Sequence, residues 1–119
     1  MKKILLEDVR DFSKYFELSD ALAGSKFLIT GATGLIGSVL VRCLLALEND
    51  IEVVCPVRNL AKAQAMFCDV SGELCLVESE LQDFLEGLNE EDAYDYIVHC
   101  ASPTSGKYII EHPAETYIF

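Results

Sequence analysis

The stretch "FLITGATGLIGSVLV", residues 27–41, decides the fold. It opens as a short apolar run, places glycine at 31, 34 and 37, and continues as an apolar pattern of helical type. Glycine is a poor helix former, so three of them where a helix begins need a reason. A helix N-terminus carries unpaired backbone N–H groups and the positive end of the helix dipole, and a glycine turn lets an anion reach both with no Cβ in the way. Gly31 is expected to make the tight turn out of the strand, Gly34 to admit a pyrophosphate to the main chain, and Gly37 to let helix and strand pack closely. A strand before, a helix after, and a place in the first βαβ unit all favour a dinucleotide as ligand.

Working outward, three more strand-type runs follow: "IEVVCPV" at 51–57, "LCLVE" at 74–78 and "YIVHCA" at 96–101. Helical patterns separate them. Residues 35–47 are apolar nearly all round, as suits a helix pressed onto a sheet; 60–67 form a shorter helix with Asn59 as N-cap; 81–88 set Leu81, Phe84, Leu85 and Leu88 on one face. Upstream, Leu5, Leu6, Val9, Phe12 and Phe16 recur at helical spacing. Strands alternating with helices predict an α/β doubly wound parallel sheet of Rossmann type in the order 3-2-1-4. The expected organisation is a helical extension over 1–25 and a dinucleotide-binding Rossmann domain over 26–119, incomplete at its C-terminus.

Composition bounds the function. With 119 residues, 9 Lys plus Arg and 20 Asp plus Glu, the net charge is −11, which argues against a nucleic-acid backbone as partner. Eight of the acids lie between Glu78 and Asp95 with no Lys or Arg among them, read as a solvated face. The five cysteines, at 43, 55, 68, 75 and 100, form no Cys-x-x-Cys pair and mostly sit in apolar stretches, so buried free thiols are expected, with neither disulfide nor metal site. The N-terminus turns acidic after three apolar residues and no stretch reaches the ~18 apolar residues of a membrane span, which points to the cytoplasm. His99, in an apolar strand, is expected to be a core residue, and Thr33 to cap the helix or touch phosphate.

The stretch "TGATGLIG" resembles the TGxxGxxG signature of the extended short-chain dehydrogenase/reductase family, the nucleotide-sugar epimerases, dehydratases and decarboxylases. "VESELQD" at 77–83 is similar to the family's acidic segment after the third strand, with Glu80 where an Asp usually holds the adenine amino group. "VHCASPTS" at 98–105 resembles the end of the fourth strand, along the cofactor ribose and nicotinamide, and "EHPAETYIF" at 111–119 the start of the next helix. The "ASP" segment looks most like that of UDP-glucuronate decarboxylases. The resemblance implies an NAD(P) site at Gly31, Thr33, Gly34, Leu35, Ile36, Gly37, Arg58, Asn59, Glu80, Leu81, Ala101 and Ser102, with Thr104 beside it.

An acid about 20 residues past the third glycine accepts the ribose 2′-hydroxyl of NAD, whereas an Arg pairs with the 2′-phosphate of NADP. The second strand ends "VVCPVRN", with Arg58 in that place. A guanidinium suits a phosphate, so the reading leans to NADP, although NAD is usual in the sugar-nucleotide enzymes that the chain resembles. Those enzymes use a Tyr-x-x-x-Lys pair, and none of the tyrosines at 15, 94, 96, 108 and 117 has Lys four residues on. The expectation is therefore the NAD(P)-binding part of a sugar-nucleotide epimerase, dehydratase or decarboxylase, inactive alone, with an uncovered fourth strand that favours self-association or a homo-oligomer. The alternative is a non-catalytic module of the same fold that senses a dinucleotide.

Overall fold

The computed structural model describes residues 3–17 and 19–101. The elements in chain order are α1 (Lys3–Tyr15), a 3-10 turn (Asp20–Leu22), β1 (Lys26–Thr30), α2 (Leu35–Ala46), β2 (Glu52–Val57), α3 (Leu60–Met66), β3 (Glu73–Glu78), α4 (Leu81–Glu86) and β4 (Tyr96–His99). Each strand and helix expected within the described residues is present, with ends moved by a residue or two.

The four strands form one parallel sheet in the order β3-β2-β1-β4. Two successive crossovers, β1 to β2 and β2 to β3, step the same way, and with the usual right-handed sense this sets α2 and α3 on one face, where both contribute to one core. The step from β3 to β4 runs back across the sheet and puts α4 on the other. Side-chain alternation follows: Phe27, Ile29, Val53, Cys55 and Val57 form the core with Val41, Leu44, Leu45, Ala63 and Phe67, whereas Val54, Cys75 and Val77 share a hollow with Asp83 and Phe84 of α4. Burial is completest in the two central strands, where Leu28, Ile29, Val53 and Cys55 have no exposed surface. α1 packs on α2, and Phe16, just past its end, stacks on Phe12 with ring centroids 4.7 Å apart.

Several expectations are corrected. α2 is not covered all round, because Leu35 and Ile36 in its first turn are exposed. Leu85 of α4 is exposed while Leu81, Phe84 and Leu88 are half-buried. Of the five free cysteines only Cys55 is buried; Cys43 and Cys100 are half-buried, and Cys68 and Cys75 are exposed. Burial, with the nearby Cys75 thiol adding to it, pushes the Cys55 thiol up to about 12, so it is an inert core group. The acidic run is mostly solvated, but three of its members accept main-chain N–H groups. Glu78 accepts from Leu60 N–H at 3.2 Å, Asp92 from Asn89 N–H at 3.0 Å, and Asp95 from Lys26 N–H at 2.8 Å. Among the described residues no helix is long and apolar enough to cross a membrane.

Candidate functional site

In a parallel sheet all strands end on one edge, so the loops after β1, β2, β3 and β4 are brought together there. The first is the glycine turn. Gly31 has φ +70, a conformation that favours glycine. A Cβ on it would lie 2.5 Å from Ala101 N and 2.6 Å from the Cys100 carbonyl carbon, so the end of β4 is packed directly against it. A Cβ on Gly37 would collide with the Gly31 carbonyl. Glycine at 31 and 37 is thus what lets strand, turn and helix touch. The turn is closed by Gly34 N–H donating to Gly31 O at 3.1 Å, and the first helical bond runs from Ser38 N–H to Gly34 O at 3.0 Å.

Gly34 is the N-cap of α2 in an extended conformation (φ −77, ψ 174), and no side chain caps this end. Thr33, expected as a possible cap, does not fill that role: the cap position falls one residue later, on a glycine. The amides of Leu35, Ile36 and Gly37 therefore head a 12-residue helix without an intrahelical acceptor. The exposed Leu35 (84%) and Ile36 (75%) side chains stand beside them.

The neighbouring loops complete the edge. After β2, Arg58 is exposed, and Asn59 is the N-cap of α3, its side chain accepting from Lys62 N–H at 3.0 Å. After β3, Ser79 N–H donates to Val57 O at 2.9 Å, which holds that loop beside the end of β2. Glu80 is the exposed N-cap of α4, without a side-chain cap bond, and Leu81 behind it is half-buried. After β4, Cys100 N–H donates to Thr30 O at 3.0 Å and Ala101 N–H to Thr30 Oγ1 at 3.4 Å. Ser102, Pro103, Thr104 and the expected helix from Pro113 lie outside the described residues.

His99 is not a core residue. It is exposed, with Nδ1 2.6 Å from Thr30 Oγ1 in a hydrogen bond. No local sequence pattern marks this link, because the partners are 69 residues apart and only the strand register sets them opposite each other. Among the described residues no group of three or more His, Cys, Asp and Glu is placed to hold a metal ion.

A parallel sheet in this order, with a glycine turn between its first strand and first sheet helix, defines a Rossmann-type α/β domain. Residues 27–118 match the NAD dependent epimerase/dehydratase family, and the chain belongs to it. The family implies a nicotinamide dinucleotide as cofactor, and the glycine cradle, which a Cβ at 31 or 37 would fill, fits such a group. The chain is also similar to the crystal structure of an uncharacterized protein from Mycobacterium paratuberculosis, at 26% identity and a TM-score of 0.52. That likeness covers 64% of this chain and 29% of the other, so the chain spans less than a third of that protein's length. Among curated proteins none matches.

Proposed function

We propose that this chain is the NAD(P)-binding part of an enzyme that acts on a sugar nucleotide by hydride transfer at a sugar carbon. The observation that carries the reading is the uncapped first turn of α2 behind Gly34, cradled by glycines whose replacement would close it. The pyrophosphate would lie on this turn, held by the amides of residues 35–37 with Thr33 beside them. Leu35 and Ile36 would flank the dinucleotide, Arg58 and Asn59 the adenosine ribose, Glu80 and Leu81 the adenine, and Ala101 with Ser102 the other ribose and the nicotinamide. When bound, the nicotinamide takes up and returns a hydride. The exposed Arg58, at the place where an acid would accept a 2′-hydroxyl, supports NADP over NAD.

Gly34→Ala tests the reading cleanly. The φ of −77 suits any L-residue, and the new Cβ would sit 3.3 Å from Gly31 O, a tight but tolerable contact. The methyl group would nonetheless stand where the pyrophosphate approaches. Titration of the chain with NADH and NADPH should give saturable binding, and Gly34→Ala should weaken it about 10-fold or more, a loss of one charge-assisted hydrogen bond or so. The melting temperature should move by only a few degrees. Affinity unchanged by Gly34→Ala would place the dinucleotide elsewhere.

A further inference from the structure

Side chains on a strand alternate between its faces, and in β3 Leu74 and Leu76 pack against the core that also holds Ala63 of α3. Glu78 ends that row, on the same face and at the carboxyl edge of the sheet. In the parallel register it stands opposite Val57, the residue before Arg58. Ser79 N–H donates to Val57 O at 2.9 Å, which holds the two strand ends together past their last paired residues. Glu78 Oε2 accepts from Leu60 N–H at 3.2 Å, so the carboxylate is fixed to the main chain two residues beyond Arg58. Lys62 N–H is taken by the Asn59 side chain at 3.0 Å. With those two donors of the short α3 turn already used, recognition at this corner falls to side chains, a cation from the end of β2 and a carboxylate from the end of β3. They do not neutralise each other, since no ion pair joins Arg58 to Glu78 among the described residues.

The two nicotinamide cofactors differ by a phosphate on the adenosine ribose, which in this fold lies at the end of the second strand. That dianion is attracted by a guanidinium and repelled by a carboxylate held in place nearby. We infer that Glu78 is a specificity-determining residue, whose fixed carboxylate opposes the 2′-phosphate that Arg58 attracts. NADH, which lacks this phosphate, meets no such opposition, so the chain separates the two cofactors less than Arg58 alone would make it. The bond to Leu60 matters because an unanchored glutamate could turn away into water, whereas this one keeps its charge beside Arg58. The inference rests on the NAD(P) reading above.

The full chain and its Glu78→Gln and Glu90→Gln variants are titrated with NADH and NADPH, and with AMP and adenosine 2′,5′-bisphosphate, which differ by the same phosphate without a nicotinamide half. Glu78→Gln keeps an oxygen that can accept from Leu60 N–H and removes only the charge, so the melting temperature of the free chain should hardly move. It should tighten NADPH and the bisphosphate about 10-fold, the size of one like-charge contact near a protein surface, and change NADH and AMP far less. Glu90→Gln removes an exposed charge of the same acidic run from the loop ahead of β4, at the opposite edge of the sheet. Salt screens a charge at that distance, and all four affinities should stay almost unaltered. Unchanged NADPH affinity in Glu78→Gln would overturn the inference. Equal gains for NADH and NADPH, or gains matched by Glu90→Gln, would also overturn it, since both mark a general effect of net charge. A gain for NADPH that the bisphosphate does not share would place the effect away from the ribose and overturn it too. An unsubstituted chain that binds neither NADH nor NADPH would overturn the cofactor reading itself, and this inference with it.

Discussion

Arg58 leaves β2 at the carboxyl edge of the sheet, exposed and without a hydrogen bond or ion pair among the described residues. A cation placed there has no evident packing role, and its always-charged planar fork matches a phosphate dianion in geometry as well as sign. If it faces the adenosine ribose, Arg58→Ala should weaken NADPH and leave NADH almost untouched. The expected change is about 10-fold or more for NADPH, within the range of one charge-assisted contact. Calorimetric titration of both cofactors against both proteins checks it, and equal affinities that do not respond to Arg58→Ala would reject the preference. The glycine turn and the place of Arg58 just past β2 could be read from spacing because each lies within a local strand-turn-helix unit. The hydrogen bond between Thr30 and His99 could not, since it arises only from a register between strands far apart in sequence. The same limit applies to His99's burial: its apolar neighbours fit a core strand, but β4 lies at the edge of the sheet and leaves it exposed.

Among the elements, the joint between α2 and the end of α3 shows how the face behind the site is held. Arg42 of α2 donates to Met66 O at 2.5 Å and to both oxygens of Asp69 at 3.1 Å, with its guanidinium 5.6 Å from the Phe67 ring. The Arg42 side chain is 10% exposed and that of Asp69 43%. The two ends of the bridge should therefore differ. Asp69→Asn removes a mostly solvated charge and should cost under about 1 kcal/mol. Arg42→Ala also leaves a carbonyl without its donor and bares an aromatic face, for a loss of roughly 1–3 kcal/mol. Thermal melts of both variants measure the ratio. What burial there is raises the Asp69 carboxyl, but the hydrogen bond and charge of Arg42 and its own backbone N–H outweigh it and hold the group below its ordinary value. The small contribution of this pair is thus complete above the usual carboxylate range and fades as the pH falls through the lowered native value. Elements such as β2 and α3 were legible in sequence because apolar runs and an Asn cap specify them locally. The exposed first turn of α2 was not, because "LIGSVLV" is as apolar where a ligand would lie as where the sheet does.

On the scale of the molecule, two features pull association in opposite directions. β4 is an edge strand that pairs only with β1 among the described residues, and Tyr96 (44%) and Ile97 (63%) on it are exposed. An apolar edge with free main-chain groups is a template for pairing with another chain. Against this, a net charge of −11 makes copies repel one another at long range. Salt screens the repulsion, shortening its reach from roughly 14 Å near 0.05 M to a few ångströms near 1 M, but does not weaken strand pairing. The mass measured by light scattering should therefore rise with salt as well as with protein concentration. Ile97→Lys puts a charge on the edge itself and should bring the mass back toward that of the monomer at every salt concentration, with little effect on melting because the side chain is already mostly in water. A chain that stays monomeric in high salt would show that the edge is covered. A salt-dependent rise that Ile97→Lys leaves unaltered would move the contact to another surface, with the exposed Leu35 and Ile36 at the mouth of the candidate site next in line. In that case NADH or NADPH, by occupying the mouth, should compete with self-association, an outcome the edge contact does not produce.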